Sequence, residues 1–317
     1  MSRFSALPVL RGGLLDLRFC LRSAVGVLML APLACSPAEE SPPAQADPGE
    51  TPNTLAEVVA RDEAFATAAE TGVTDAFRGF MHPDGILFQP GPVEAGLWLA
   101  ENEVPVAALE WVPVAAGLAS SGDLAYTTGP FLATGPDDSQ VGGHYVSVWS
   151  REPGSPFMAV LDIGVPTGET VPLPQASPVE DLYGEGSNSS EHENVDPTGF
   201  ENVLAVDRAY AVAQATEGTM AAMPAYAAPS IRMYRPGIPP LVGPTEEDAA
   251  LVLADDRPST SPTDGAISAS GTMGYVYGSV AQGGQADAGS YLRIWRRDPS
   301  GPWTLALELV SLPPPRP

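Results

Sequence analysis

The chain has 317 residues and a formal net charge of -24, and all 15 of its basic residues are arginine. This length allows two domains, each large enough to bury its own core. So acidic a surface repels phosphate backbones, which excludes nucleic acid as a partner. With only 3 histidines, the chain offers no metal site of the usual ligand count, and no motif indicates a cofactor.

Residues 1–34 are predicted to be an export signal that is absent from the mature protein. Several arginines precede an apolar run at residues 24–33, which is too short to span a bilayer. The following Leu33-Ala34-Cys35 resembles the lipobox of bacterial lipoproteins, so Cys35 is the predicted lipidation site and only membrane attachment. The alternative is a soluble secreted protein cut near Ala34. Either way, we expect a protein exported to the bacterial cell envelope or periplasm.

Residues 35–53 are rich in proline, alanine and acidic residues, and they predict a disordered tether. Apolar residues at helical spacing then predict a helix, a break at Gly72 and a second helix within residues 55–80. Next we expect a strand at 86–89, a helix at 94–103, and strands at 108–118, 124–133, 142–151 and 157–163. Helices followed by antiparallel strands indicate an α+β domain over residues 54–165.

A linker rich in proline and glycine is predicted at residues 166–199, and it marks the domain boundary. The same order of elements follows in residues 200–312. Helices are expected at 203–214, 220–226 and 246–253, and strands at 231–234, around 266, and at 274–280, 290–297 and 303–310.

Two segments of the first domain recur 146 residues later. Leu-Phe-Gln-Pro-Gly at 87–91 returns as Met-Tyr-Arg-Pro-Gly at 233–237, and the block at 143–151 returns at 289–297. A repeat of this length is typical of a duplicated domain and too long for a solenoid unit. We therefore call residues 54–165 the first repeat and residues 200–312 the second repeat.

The residues at 62–65, 87–92, 122–130 and 143–149 resemble the landmarks of the DUF4440 group. This group belongs to the SnoaL-like, nuclear-transport-factor-2-like (NTF2-like) superfamily. The resemblance implies two cone-shaped domains, each with N-terminal helices packed on a curved antiparallel sheet around a pocket. The superfamily contains isomerases, dehydratases, epoxide hydrolases and cyclases beside members without catalysis, so the resemblance implies a fold and not an activity.

Three residues are candidates for chemistry in the first pocket. A hairpin turning at Gly154 would pair Val146 with Asp162 and place His144 diagonally beside Asp162. Asp162 would act as general base with a pKa raised by burial, and His144 would be its partner. Tyr126 on the adjacent strand could donate a hydrogen bond to a developing oxyanion.

Structural roles remain open for the same residues. Asp162 and His144 could simply satisfy each other as a buried polar pair, and aromatic side chains such as Tyr126 often only fill a core. Ligand contacts are expected from Phe88, Trp111, Trp149, Tyr275 and Glu308.

The second repeat replaces His144 with Ser290, Asp162 with Glu308 and Tyr126 with Tyr275. A reaction that needs histidine can therefore run only in the first repeat. We expect an exported protein whose two pockets hold a small apolar molecule. The alternatives are an acid–base enzyme with its site in the first repeat and a protein-interaction module. The two repeats are also expected to pair through their sheets as an intrachain pseudo-dimer.

Overall fold

A computed structural model describes residues 55–167, 172–174, 178–182, 199–243, 253, 256–282, 285–299 and 301–312. The predicted export signal, Cys35 and the tether lie outside these residues, and so does the helix expected at 246–253 apart from Leu253. In the part of the chain that is described, no helix has the length and apolar character needed to cross a membrane.

The first repeat begins with the expected helix, break and helix. Helix α1 is Leu55–Ala69 and α2 is Val73–Phe80. Then come β1 (Met81–Phe88), β2 (Pro92–Glu94), α3 (Ala95–Glu101), β3 (Ala108–Trp111), β4 (Ala115–Leu118), β5 (Leu124–Thr134), β6 (Gln140–Ser150) and β7 (Met158–Pro166).

The single strand expected at 108–118 is two strands, β3 and β4. Pro113 lies between them and has no N–H group to donate to the sheet, which explains the interruption. Both strands still pair with β5.

The second repeat follows the same order. Its elements are α4 (Gly199–Glu217), α5 (Thr219–Tyr226), β9 (Ala227–Tyr234), β10 (Leu241–Val242), β11 (Ser259–Ile267), β12 (Met273–Gln282), β13 (Gln285–Arg296) and β14 (Thr304–Ser311). Between the repeats, β8 (Glu180–Asp181) lies in the predicted linker and adds to the edge of the first sheet beside β4.

The strands form two curved sheets, so the described fold is α+β as expected. The strand order is β2-β1-β7-β6-β5-β4-β8 in the first sheet, with β3 also on β5, and β10-β9-β14-β13-β12-β11 in the second. Neither sheet is wholly antiparallel, because β1 pairs in parallel with β7, and β9 with β14. In each repeat, the first long strand therefore lies beside the last one, at the far side of the antiparallel meander.

Helices α1 to α3 pack on one face of the first sheet, and α4 and α5 pack on one face of the second. The other faces of the two sheets contact each other through a shared apolar cluster, which includes Val146, Leu161, Leu292 and Leu307. The result is four layers, helix–sheet–sheet–helix, within one compact unit that spans Thr51–Pro317.

The pairing of Val146 with Asp162 predicted from the turn at Gly154 is wrong by one residue. Ser150 and Trp149 pair with Met158 and Ala159 as that turn requires, but a β-bulge then shifts the register, so Ser147 lies opposite Asp162. Because side chains alternate between faces, this one-residue shift moves Asp162 to the helix side of the sheet. The second repeat has its bulge at the equivalent place and pairs Arg293 with Glu308.

Candidate functional site

A cavity of about 980 Å³ lies on the helix side of the first sheet, a volume at the upper end of what small-molecule sites occupy. Most of its wall is apolar and aromatic, and it includes Phe65, Phe77, Leu87, Phe88, Trp111 and Phe131. The edge of the second sheet supplies the remaining wall, which is polar and includes Thr263, Ser279, Gln285, Asp287, Ser290 and Ser311. The cavity is therefore built by both repeats.

Two glycines allow the ring of Phe131, which lines the cavity, to lie close to the sheet. A Cβ added at Gly143 would come within 2.3 Å of the Val165 carbonyl oxygen and 2.6 Å of the Phe131 ring, and one added at Gly164 would come within 3.1 Å of that ring. Glycine at residue 143 is therefore required by close packing on both sides, whereas a side chain at residue 164 would crowd the ring.

A buried carboxylate, Asp62, stands behind the cavity wall. Its Oδ2 accepts a hydrogen bond of 2.6 Å from the Tyr145 hydroxyl, and its Oδ1 accepts one of 2.9 Å from Trp111 Nε1. Burial raises the pKa of Asp62 to about 6, although the hydrogen bonds from Tyr145 and Trp111 oppose this shift. Tyr145 and Trp111 both reach the cavity, so Asp62 fixes two of its polar groups.

Asp162 lines the cavity directly. Its Oδ2 accepts a hydrogen bond of 2.6 Å from the Ser147 hydroxyl. Burial raises the pKa of Asp162 to about 7, the hydrogen bond from Ser147 opposes the rise, and the nearby Asp62 adds to it. At neutral pH this carboxyl group therefore exists in both its protonated and its ionised form.

His144 and Tyr126 do not join Asp162. His144 lies on the opposite face of the sheet, where its ring stacks on Tyr234 of the second sheet at a centroid distance of 5.7 Å. Tyr126 is fully buried in the cluster between the sheets. The structure thus separates the predicted trio, because the bulge turns Asp162 away from the face that carries the other two.

Burial between the sheets lowers the pKa of His144 to about 4, and Arg232 adds to this effect. The imidazole is therefore neutral at physiological pH. The alternative in which Asp162 and His144 satisfy each other as a buried pair is also wrong, because they lie on opposite faces of the sheet.

Of the five residues expected to contact a ligand, two line the cavity and three do not. Phe88 and Trp111 line the cavity. Trp149 is buried in the core beneath the helices and donates a hydrogen bond to Thr127, whereas Tyr275 lies between the sheets. Glu308 is fully buried and bound by arginines.

In the second repeat, buried ionic side chains surround Glu308, the equivalent of Asp162. Arg293 lies between Asp207 and Glu308, with contacts of 3.3 Å and 2.8 Å. Arg235 also binds Glu308, at 2.5 Å. Burial alone would raise the pKa of Glu308, but Arg235 and Arg293 hold it at about 2.

The repeat in the sequence shows which residues of the first repeat correspond to these two arginines. Counting 146 residues along the chain, Arg293 replaces Ser147 and Arg235 replaces Gln89. Arg293 is fully buried and also donates a hydrogen bond to Gln214. A serine and a glutamine of the first repeat thus correspond to two arginines in the second.

Sequence reasoning missed Asp62, Tyr145 and Ser147 as parts of the site. The signal for Asp62 was present, since it stands within the buried stripe of α1 formed by Val58, Phe65 and Ala69. A carboxylate in such a stripe requires hydrogen-bond partners from the sheet. Among the described residues, no group of three or more histidine, cysteine or acidic side chains is arranged to hold a metal ion.

No family model and no curated protein matches the chain. Among solved structures it is similar to an NTF2-like superfamily protein from Salmonella enterica serovar Typhimurium, which is 12% identical with a TM-score of 0.30; the match covers 37% of this chain and 92% of that one. An LEH-like epoxide hydrolase of M. tuberculosis is 19% identical with a TM-score of 0.28, and the match covers 36% of this chain and 81% of that one. Neither match is close enough to establish a family or an activity for this chain.

Proposed function

We propose that the chain carries two NTF2-like domains in tandem and that the first binds a small, largely apolar molecule. One observation carries this proposal. A cavity of about 980 Å³ with an aromatic wall adjoins Asp162 in the first repeat, whereas two arginines bind the equivalent Glu308 in the second repeat. The first repeat is then the binding domain, and the second acts as its scaffold and supplies part of the rim.

The tandem arrangement is supported by the equal registers of the two repeats. Asp162 pairs with Leu87 in the first sheet. Glu308 and Met233, which lie 146 positions after Asp162 and Leu87, pair with each other in the second sheet. The sheets contact each other face to face through apolar side chains, which is the arrangement proposed for an intrachain pseudo-dimer. This contact covers the sheet faces that a protein-interaction module would need to expose.

We also propose export to the cell envelope with a lipid anchor at Cys35, on the strength of the sequence alone. If this is right, the substitution Cys35→Ala moves the protein from the membrane fraction to the soluble fraction. An unchanged distribution would favour the soluble secreted form.

Binding is tested with 1-pyrenemethanol, a neutral fluorescent probe that is small enough for the cavity. We expect one site per chain, seen as an increase in probe anisotropy. Leu109 lines the cavity, so Leu109→Trp should weaken binding at least tenfold. The matched control is Leu97→Trp, because Leu97 is 69% exposed on α3 and should leave binding unchanged. Equal binding by both variants would contradict the proposal.

A second candidate function is acid–base catalysis by Asp162, favoured by its position on the cavity wall with a pKa of about 7. A generic test is base-promoted ring opening of 5-nitrobenzisoxazole, which needs only removal of one proton. If Asp162 acts as a base, the rate rises with pH through about 7 and is lost in Asp162→Asn. An equal rate in that variant excludes this role.

A further inference from the structure

We infer that the ligand of the first repeat is a cation, an apolar body that bears an amine or guanidine group, with the positive charge held at Asp162. This inference rests on the proposed binding function and adds the chemical class of the ligand. Three observations lead to it: the charges of the cavity wall, its aromatic rings and the comparison between the two repeats.

The cavity wall is acidic wherever it can carry a charge near neutral pH. Of the described residues that line it, the acidic ones are Asp162 and Asp287, and none is arginine or histidine. The chain as a whole has a net charge of -24, which attracts cations and repels anions over a long range. An anionic ligand would therefore meet repulsion at the wall with no positive group to offset it.

In the part of the chain that the structure describes, the groups around Asp162 also lack a counter-charge. From β6, Ser147 donates its hydrogen bond and Tyr145 stands nearby; from α1, the ionisable neighbour is Asp62. The adjacent residue on β1 is Leu87. Among the described residues these ionisable neighbours are neutral or acidic, so an ionised Asp162 is stabilised by the Ser147 hydroxyl group and by a group that enters the cavity.

The second repeat shows what satisfies a carboxylate at this position. Glu308, the equivalent of Asp162, is bound by the guanidinium groups of Arg293 and Arg235. In the first repeat these arginines are replaced by Ser147 and Gln89, and cavity space adjoins the carboxylate. A cationic ligand would supply from outside the charge that the second repeat supplies from its own chain.

The aromatic rings of the wall suit the same ligand. Phe65, Phe77, Trp111, Phe131 and Tyr145 all line the cavity. Ring faces attract an ammonium or guanidinium group within about 6 Å and also bury an apolar body. A carboxylate among aromatic rings is thus complementary to an apolar cation.

The test compares three probes that share one ring system: 1-pyrenemethylamine, 1-pyrenemethanol and 1-pyrenecarboxylic acid. We expect the amine to bind at least tenfold more tightly than the alcohol and the acid to bind most weakly. Asp162→Asn should weaken binding of the amine roughly tenfold or more and leave the alcohol within about twofold. The matched control is Asp287→Asn, because Asp287 is exposed at the rim and should change amine binding less than threefold.

The wild-type protein gives an independent readout. Because a cation pairs with the ionised form of Asp162, whose pKa is about 7, amine affinity should be roughly tenfold higher at pH 8 than at pH 6. Alcohol affinity should stay nearly constant over that range. This measurement needs no variant and is insensitive to effects of substitution on folding.

The outcomes separate the two proposals. If all three probes bind alike, or the acid binds best, the inference of a cationic ligand is overturned while binding of apolar molecules stands. If amine affinity does not change with pH or in Asp162→Asn, the assignment of the charge to Asp162 fails. If no probe binds, the proposed function fails and the inference fails with it.

Discussion

At the scale of single residues, Asp62 and Asp162 are buried carboxylates of the first repeat whose ionisation is opposed by desolvation. Asp162 has a pKa raised from 3.8 to about 7, so the folded state retains a proton that the unfolded state releases. For an acid with a raised pKa, stability falls as pH rises from the unfolded value to the folded value and then stays constant. The cavity is therefore maintained against an energetic penalty, as is common at functional sites.

Replacing Asp162 with asparagine should stabilise the protein, because the amide has no charge to bury and still accepts the hydrogen bond from Ser147. We expect the free energy of unfolding to gain about 2 kcal/mol more at pH 8 than at pH 5, measured by urea titration. Asp84→Asn is the control, since the Asp84 side chain is 83% exposed. A gain that does not depend on pH would show that Asp162 is not desolvated.

The predicted site of Asp162, His144 and Tyr126 does not form, because Asp162 lies on the opposite face of the sheet from the other two. Counting residues outward from the turn at Gly154 gives the correct partners for the two β6–β7 pairs nearest the turn. A bulge then inserts one residue, and the sequence around Val160 carries no signal for it. Asp62, by contrast, could have been found, because a carboxylate within a buried apolar helix stripe is visible in the sequence.

At the scale of elements, the same hairpin serves two purposes in the two repeats. Strands β6 and β7 place Ser147 opposite Asp162 beside a cavity, whereas β13 and β14 place Arg293 opposite Glu308 within a filled core. Helix α4 completes the filled version, because its Gln214 binds both Arg293 and Glu308. The residue opposite the carboxylate is thus a serine beside the cavity in the first repeat and a buried arginine in the second.

Removing the Arg293 charge should be far more harmful than the matched change in the first repeat. Arg293→Met leaves Asp207 and Glu308 buried with one cation fewer, and we expect a loss of about 3–5 kcal/mol in the free energy of unfolding. Ser147→Ala removes one hydrogen bond and should cost about 1 kcal/mol. Chemical denaturation of both variants at pH 7 compares them, and similar losses would refute the structural role assigned to the ion network.

Most elements could be predicted from the sequence because apolar periodicity and turn residues mark them locally. The order of helices and strands in the described part of both repeats follows the prediction, except that the strand at 108–118 divides at Pro113 and short strands β2, β8 and β10 were not anticipated. The buried ion network of the second repeat could not be predicted. Arg293 is visible at a strand position, but its partner Gln214 is 79 residues away in sequence and reaches it only through the fold.

At the scale of the whole molecule, the contact between the sheets joins the two repeats. Side chains from both sheets form one apolar cluster, and the hydroxyl groups of Thr128 in the first sheet and Tyr234 in the second are hydrogen-bonded at 2.8 Å. The loops add polar contacts, since Asp123 accepts a hydrogen bond from the backbone of Ala269. Neither sheet can therefore unfold without exposing apolar surface of the other.

Disrupting this contact should destabilise both repeats together. Leu292→Asp places a charge in the cluster between the sheets, and we expect one cooperative transition at lower urea with a loss of several kcal/mol. Leu97→Asp on the exposed surface of α3 is the control. Hydrogen exchange of peptides from each repeat checks the coupling; protection lost in the second repeat alone would mean that the repeats fold independently.

The most direct test of the account is to locate a bound apolar molecule by photolabelling. The protein is irradiated with a small neutral aryl diazirine, and the labelled peptides are identified by mass spectrometry. We predict that label concentrates on residues 81–92 and 104–111, which contribute to the cavity wall, and that it is lost in Leu109→Trp but kept in Leu97→Trp. Label concentrated instead on the filled interior of the second repeat, or spread evenly over both repeats, would contradict the account.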